Sequence, residues 1–132
     1  MEVIQAAARA SRRGPAEWFR GTVWIDEIAT CPPPSRLSIN RVTFEPAART
    51  NWHTHPVSQV LHVLSGVGRV QKVGEAVQTL GPGDTVRIGA GEKHWHGASP
   101  DRLFVHLAVQ EVEGGSAVTW LEAVADIEYL SG

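Results

Sequence analysis

The stretch His53-Thr54-His55, followed by Gln59 and then Gly66, decides how this chain is interpreted. Side chains at positions i and i+2 of a β-strand point to the same face of the sheet. His53 and His55 therefore project together, and Gln59, six residues past His53, has the same parity if the strand is regular. The stretch predicts two imidazoles and one amide on a single face.

A third imidazole comes from a later glycine-rich stretch, in which His94 follows Gly83 and Gly91. A neighbouring strand would bring it to the first two and complete a set of three nitrogens and one oxygen. Imidazole nitrogens suit Mn, Fe, Co, Ni, Cu and Zn, and an amide oxygen is a neutral hard ligand. The sequence therefore predicts one divalent metal ion per chain. Its ligands would be His53, His55, Gln59 and His94.

The composition is that of an ordinary globular protein and disfavours nucleic acids and membranes as binding partners. The 132 residues fit one domain, are 42% hydrophobic and 20% charged, and carry a formal net charge of −2. No basic stripe favours nucleic acid, and no run approaches the ~20 apolar residues of a membrane span. The first ten residues lack the apolar core of a signal peptide, and the lone Cys31 excludes an internal disulfide. We expect a single domain over residues 1–132, located in the cytoplasm, with no nucleic-acid or membrane partner.

Short β-prone runs separated by glycines indicate an all-β fold. Residues 36–45 alternate between two faces, one of which carries Asn40, Val42 and Phe44, and further runs cover 58–64, 67–73, 76–80, 84–88 and 102–110. Many short strands with frequent glycine turns are typical of an antiparallel sandwich or barrel.

The two ends of the chain have different patterns. Residues 1–13 are expected to form a flexible arm or a strand that contacts a second subunit, and residues 14–19 one helical turn. In the tail, Val118, Leu121, Val124 and Ile127 repeat at helical spacing, and Thr119 with Glu122 has the form of a capping box. This pattern predicts a short C-terminal helix that begins near residue 119 and is packed down by Trp120.

Both histidine stretches resemble the motifs of the cupin family. The first family motif, G-x5-H-x-H-x3,4-E-x6-G, is matched from His53 to Gly66, with Gln59 in place of the acid. The second, G-x5-P-x-G-x2-H-x3-N, is matched from Gly83 to Ala98, with Gly89 for proline and Ala98 for asparagine. The resemblance implies a cupin jelly-roll β-barrel, also called a double-stranded β-helix.

A closer resemblance, over most of residues 14–130, is to the small bacterial cupin hydroxynitrile lyases. It rests on stretches such as Gly14 to Val23, Trp52 to Pro56 and Gly91 to Ala98. That family has a glutamine among its metal ligands, as at Gln59, and its metal is typically manganese. The resemblance therefore implies Mn(II), with Fe(II), Ni(II), Co(II) or Zn(II) as alternatives. It also implies a pocket at the positions matching Asn40, Val42, Thr50, His96, His106 and Gln110.

The residues suggest roles within such a pocket. His106 shares a strand face with Phe104, Ala108 and Gln110, and a neutral imidazole in the interior is suited to general base catalysis at pH 7. His96 lies two residues past His94 and shares its face. We expect His106, His96, Gln110 and Thr50 to be catalytic or substrate-orienting. Asn40, Val42, Phe44 and Ala108 are expected to form the pocket wall. In the hydroxynitrile lyases that this chain resembles, a small apolar residue is usual at the position matching Asn40.

These assignments predict a metal-dependent hydroxynitrile lyase that cleaves or forms cyanohydrins such as mandelonitrile. Its small-molecule partners would be a cyanohydrin, or an aldehyde plus cyanide, and the chain would form a homodimer or homotetramer. Two alternatives remain open: a metal-dependent oxygenase or isomerase, and a ligand-binding protein without catalysis. Gln59 weighs against oxygen activation, because iron oxygenases usually use a carboxylate ligand.

Overall fold

The computed structural model describes residues 1–131, which form two antiparallel sheets. The strands are β1 (Arg12–Arg13), β2 (Phe19–Arg20), β3 (Val23–Thr30), β4 (Leu37–Phe44), β5 (Arg49–Thr50), β6 (His53–Thr54), β7 (Gln59–Gly66), β8 (Gly68–Lys72), β9 (Gln78–Leu80), β10 (Thr85–Ile88), β11 (His94–Ala98), β12 (Phe104–Glu111) and β13 (Thr119–Trp120). The first sheet has the order β1-β3-β4-β12-β7-β10. The second has the order β13-β6-β11-β5-β2, and in it β8 pairs with β11 and β9 with β8.

The hydrophobic core lies between the two sheets and confirms the all-β jelly-roll prediction. Both sheets contribute buried side chains to one cluster, which includes Val42, Phe44 and Leu61 from the first sheet and Val70 and Ala98 from the second. The predicted strands agree with the observed ones to within a few residues, because each keeps one face in this core and so alternates in sequence.

Gly66, the last residue of the first histidine motif, ends β7 in a conformation that only glycine adopts readily. Its φ is +82°, and a Cβ at this position would lie 1.8 Å from the backbone oxygen of Leu103. The glycine therefore allows β7 to turn directly beside the start of β12.

The N-terminal segment is partly ordered by pairing. Ala6–Ala8 form one 3-10 turn, and Arg12–Arg13 pair antiparallel with Trp24 and Ile25 of β3. Residues 14–19 make the expected single turn, in which the Trp18 and Phe19 N–H groups donate to the carbonyl of Pro15.

The predicted start of the C-terminal helix is wrong. Thr119–Trp120 form strand β13 against β6, and the backbones of Trp52 and residues 121–122 exchange two further hydrogen bonds of 2.9 Å. This pairing with Trp52 occupies the backbone groups that a helix would need, and it overrides the helical spacing of the side chains. The helix, α1, covers only Asp126–Leu130.

The short helix is held on the second sheet by one buried and one partly buried polar contact. The Tyr129 hydroxyl donates to the carbonyl of Ala98 at 2.6 Å, and Arg49 donates to Asp126 at 2.7 Å. Trp52 and Trp95 pack here, away from the predicted metal ligands as expected. Among the described residues, no helix has the length and apolar character needed to cross a membrane.

Candidate active site

The four predicted metal ligands come together between the sheets. His53 opens β6, and His94 opens β11 as its direct cross-strand partner, while Gln59 opens β7 in the opposite sheet. The prediction that Gln59 shares one strand face with His53 is therefore wrong, because β6 ends at Thr54 and the chain crosses to the other sheet before Gln59. The ring centroids of His53, His55 and His94 lie 4.2–5.3 Å from one another. All four side chains are buried.

The three imidazoles are oriented in the same way. In each ring Nδ1 faces a backbone carbonyl, which makes Nδ1 the protonated nitrogen and leaves the lone pair on Nε2. The partners are Asn51 for His53 at 2.9 Å, Ala117 for His55 at 2.7 Å, and Glu92 for His94 at 2.9 Å. Two of these carbonyls lie two residues before their histidine, whereas that of Ala117 comes from a distant loop.

Several buried acceptor atoms at this point have no hydrogen-bond partner within residues 1–131. They are His55 Nε2, His94 Nε2 and Gln59 Oε1. The Gln59 amide nitrogen donates to Gln110 Oε1 at 2.8 Å, so the side-chain oxygen of Gln59 points away from Gln110. Buried polar atoms are rarely left unpaired, so these orphaned acceptors fit the ligand shell of a cation.

Burial also keeps these histidines in the form that binds metals. Desolvation lowers the pKa of His53 and of His55, and it lowers the pKa of His94 to about 4. The rings are therefore neutral at pH 7, and a neutral imidazole is the ligating species.

A second grouping of imidazoles overlaps the first. Potential ligand atoms of His53, His94 and His96 lie within 4.8 Å of one another. However, His96 Nδ1 lies 3.2 Å from His106 Nε2, which ties this ring to another histidine rather than to a backbone carbonyl.

His106 and His96 form a buried pair beside the proposed ligands. Burial lowers the pKa of His106 to about 4 and that of His96 well below its ordinary value. Phe44 packs against both rings, with centroid distances of 5.4 and 5.8 Å. Thr50 is also buried, and its hydroxyl accepts a 3.2 Å hydrogen bond from the His96 backbone N–H.

A cavity of about 370 Å³ opens onto these residues. It brings together most of the predicted site, whereas His94 lies behind the lining and contacts the ring of His53. The predicted residues that line it are Asn40, Val42, Phe44, Thr50, His53, His55, Gln59, His96, His106, Ala108 and Gln110.

Sequence reasoning missed part of this lining. Trp18 and Trp120 stack with centroids 5.3 Å apart, and the Trp120 ring lies 4.8 Å from that of His53. Residues 115–118 and Arg12 also line the cavity. The alternation of β3 could have identified Ile25, but no local pattern marks the other residues.

The chain belongs to the cupin family. The Cupin domain model matches residues 40–109, which contain both histidine stretches. Among curated proteins, the chain is 50% identical over 129 residues, 98% of each protein, to the (R)-mandelonitrile lyase of Granulicella tundricola.

Solved structures agree with this assignment. A cupin-like protein from Thermotoga maritima superposes with a TM-score of 0.85 at 36% identity, covering 89% of each chain. A polyketide cyclase from Streptomyces resistomycificus superposes with a TM-score of 0.76 at 18% identity, over 98% of this chain and 90% of the other. At that identity the likeness concerns the fold alone.

Proposed function

We propose that this protein is a metal-dependent hydroxynitrile lyase that cleaves or forms aromatic cyanohydrins such as mandelonitrile. The observation that carries the proposal is the cluster of orphaned buried acceptors, beside an apolar cavity that contains the neutral base His106. The 50% identity to a mandelonitrile lyase supports the same activity.

The residues proposed to hold the metal are His53, His55, Gln59 and His94, and the metal we propose is Mn(II). A divalent ion bound there supplies positive charge that stabilises negative charge developing on the substrate. None of its proposed ligands carries a negative charge, so the charge of the ion is not offset.

His106 is the proposed general base. Its neutral ring accepts the proton of the cyanohydrin hydroxyl, the bond between the carbinol carbon and the nitrile carbon breaks, and the electron pair leaves with cyanide. The aldehyde carbonyl forms at the same time, and the imidazolium then gives its proton to cyanide to produce HCN. Synthesis follows the same steps in reverse.

The cavity wall suits an aromatic substrate. Val42, Phe44 and Ala108 supply apolar surface, and a ligand held against such a wall is desolvated. We propose that Thr50, His96 and Gln110 orient the substrate oxygen and nitrile, and that Asn40 adds one polar group to the wall.

The test begins with elemental analysis of the purified protein and a mandelonitrile assay with and without chelator. We expect about one metal ion per chain, with loss of turnover in chelator and recovery with Mn(II). The variant His106→Ala should keep its metal and lose about 10²- to 10⁴-fold in turnover. Wild-type turnover in this variant would show that the base is elsewhere.

The ligand set is tested by two matched variants. His55→Ala should lose the metal, whereas His96→Ala should keep it and lose activity. The reverse result would assign the metal to the overlapping cluster of His53, His94 and His96. Turnover that requires oxygen would instead support an oxygenase.

We also propose that residues 1–132 form one domain that acts in the cytoplasm as a homodimer or homotetramer. β1 lies at the edge of the first sheet, and an edge strand offers unpaired backbone groups to a second copy. Light scattering of the purified protein would give the oligomeric state, and a monomer would contradict the proposal.

A further inference from the structure

Arg12 is the one permanently charged side chain among the described residues that line the cavity. Its guanidinium makes only a weak ion pair, because Nη1 lies 4.0 Å from Glu27 Oε2 and both side chains are more than half exposed. A guanidinium of this kind can exchange its partner for an anionic group on a ligand. None of the described residues lining the cavity is an aspartate or glutamate that would repel such a group.

Arg12 is in register with the proposed base. Across four adjacent strands the cross-strand partners are Arg12, Ile25, Val42 and His106, and all four line the cavity. Three strand spacings of about 4.8 Å place the Cα atoms of the first and last members about 14 Å apart. Cross-strand partners lie on one face of a sheet, so a flat ligand lying across Ile25 and Val42 would have Arg12 at one end and His106 at the other.

We propose that Arg12 forms a distal subsite that binds a carboxylate carried by the aromatic ring of the substrate, opposite the reacting carbon. The proposal rests on the proposed function for the identity of the reacting end. The ring would lie over Ile25 and Val42, and the planar guanidinium would receive the carboxylate in a bidentate pair.

Binding without turnover tests the subsite independently of the reaction. Isothermal titration calorimetry would compare 4-(hydroxymethyl)benzoate with its neutral analogue 4-methylbenzyl alcohol. For a partly exposed pair we expect the wild-type protein to prefer the acid about fivefold. Arg12→Gln should lose this preference.

Arg13→Gln is the matched control. Arg13 is the next residue of the same strand, donates to Thr22 Oγ1 at 3.2 Å, and does not line the cavity. It should keep the wild-type preference for the acid. An equal preference in the wild-type protein and Arg12→Gln, or an equal loss in both variants, would overturn the proposal.

Turnover provides the second arm of the test. The ratio of kcat/KM for 4-carboxymandelonitrile to that for 4-methylmandelonitrile should fall about fivefold in Arg12→Gln, and in the wild-type protein it should fall with added salt. If the binding preference depends on Arg12 and neither compound is cleaved, the subsite stands and the proposed function fails. If both are cleaved with a ratio that Arg12→Gln leaves unchanged, the subsite is refuted and the lyase remains.

Discussion

Replacing Gln59 by leucine tests whether Gln59 is a metal ligand or only a structural residue. The two roles predict changes of opposite sign in the free energy of unfolding without metal. Without a bound cation, Gln59 Oε1 would be buried with no hydrogen-bond partner among residues 1–131, an arrangement that costs about 1–3 kcal/mol. Leucine removes that cost. It also removes the hydrogen bond to Gln110, worth about 1 kcal/mol, but Gln110 is half-buried and can bond to water instead. We therefore expect metal-free Gln59→Leu to be as stable as the wild-type protein or about 1 kcal/mol more stable.

The effect on the metal-bound protein should be the reverse. Loss of a residue that merely orients a ligand reduces metal affinity about 10- to 100-fold, and loss of a ligand itself should reduce it at least as much. A 100-fold loss corresponds to about 2.7 kcal/mol. At a fixed excess of Mn(II), the stabilisation by metal should shrink by about that amount.

The assay is urea unfolding with chelator and with excess Mn(II). Gln71→Leu is the matched control, since Gln71 uses both ends of its amide. It donates to the Glu75 carbonyl and accepts from the buried Trp95 indole, each at 2.8 Å. It should lose about 1–3 kcal/mol without metal and keep the full Mn(II) effect. If Gln59→Leu behaves like this control, our assignment of Gln59 as a ligand is refuted.

Three further predictions concern stability of the metal-free protein, measured by urea unfolding. The pKa of His106 is about 4 when folded and about 6.5 when unfolded, so the folded state binds fewer protons between these values. The stability is therefore unaffected by this group above pH 6.5 and falls by roughly 3 kcal/mol as the pH is lowered to 4. His106→Gln should flatten this part of the plot of unfolding free energy against pH. Parallel plots for the variant and the wild-type protein would contradict the argument from burial. Tyr129→Phe removes the hydroxyl bonded to Ala98 and should cost about 1–2 kcal/mol, and no change would mean that water replaces this contact. Gly97→Ala would place a Cβ 2.5 Å from the carbonyl of Ala48 and should cost several kcal/mol or prevent folding, whereas a near-wild-type midpoint would mean that β5 can shift.

Part of the cluster of proposed ligands was accessible from sequence because His53 and His55 are close together in the chain, whereas His94 is brought to them by strand pairing and Gln59 lies in the opposite sheet. His53 and His55 are neighbours because they are two residues apart in the chain, although β6 covers only His53–Thr54. The alternation in β4 and β12 follows from their having one face in the core. The same alternation correctly placed His106 on the face that lines the cavity. The β structure dictates these positions before any tertiary contact is known.

The tail and the cavity rim were not accessible in this way. Helical spacing from residue 118 onward was outweighed by backbone pairing with Trp52, a contact about 70 residues distant in sequence. Arg12, Trp18 and Trp120 reach the cavity because two strands and a turn from opposite ends of the chain meet there, and the local sequence gives no sign of this. The carbonyl of Ala117 orients His55 across 62 residues and is equally invisible to local rules.

The charges in the cavity favour an anionic reaction component. Its described lining contains no carboxylate, its histidines are neutral at pH 7 because they are buried, and Arg12 is positive. A glutamate in place of Gln59 would offset one unit of the charge on a divalent ion, and the glutamine does not. A substrate that develops negative charge on oxygen and releases cyanide therefore experiences a uniformly favourable field, and the field acts at the atoms where that charge appears. A substrate that itself develops positive charge would be opposed by the same field. This field is a physical argument for the proposed cyanohydrin cleavage that the cupin fold alone would not supply.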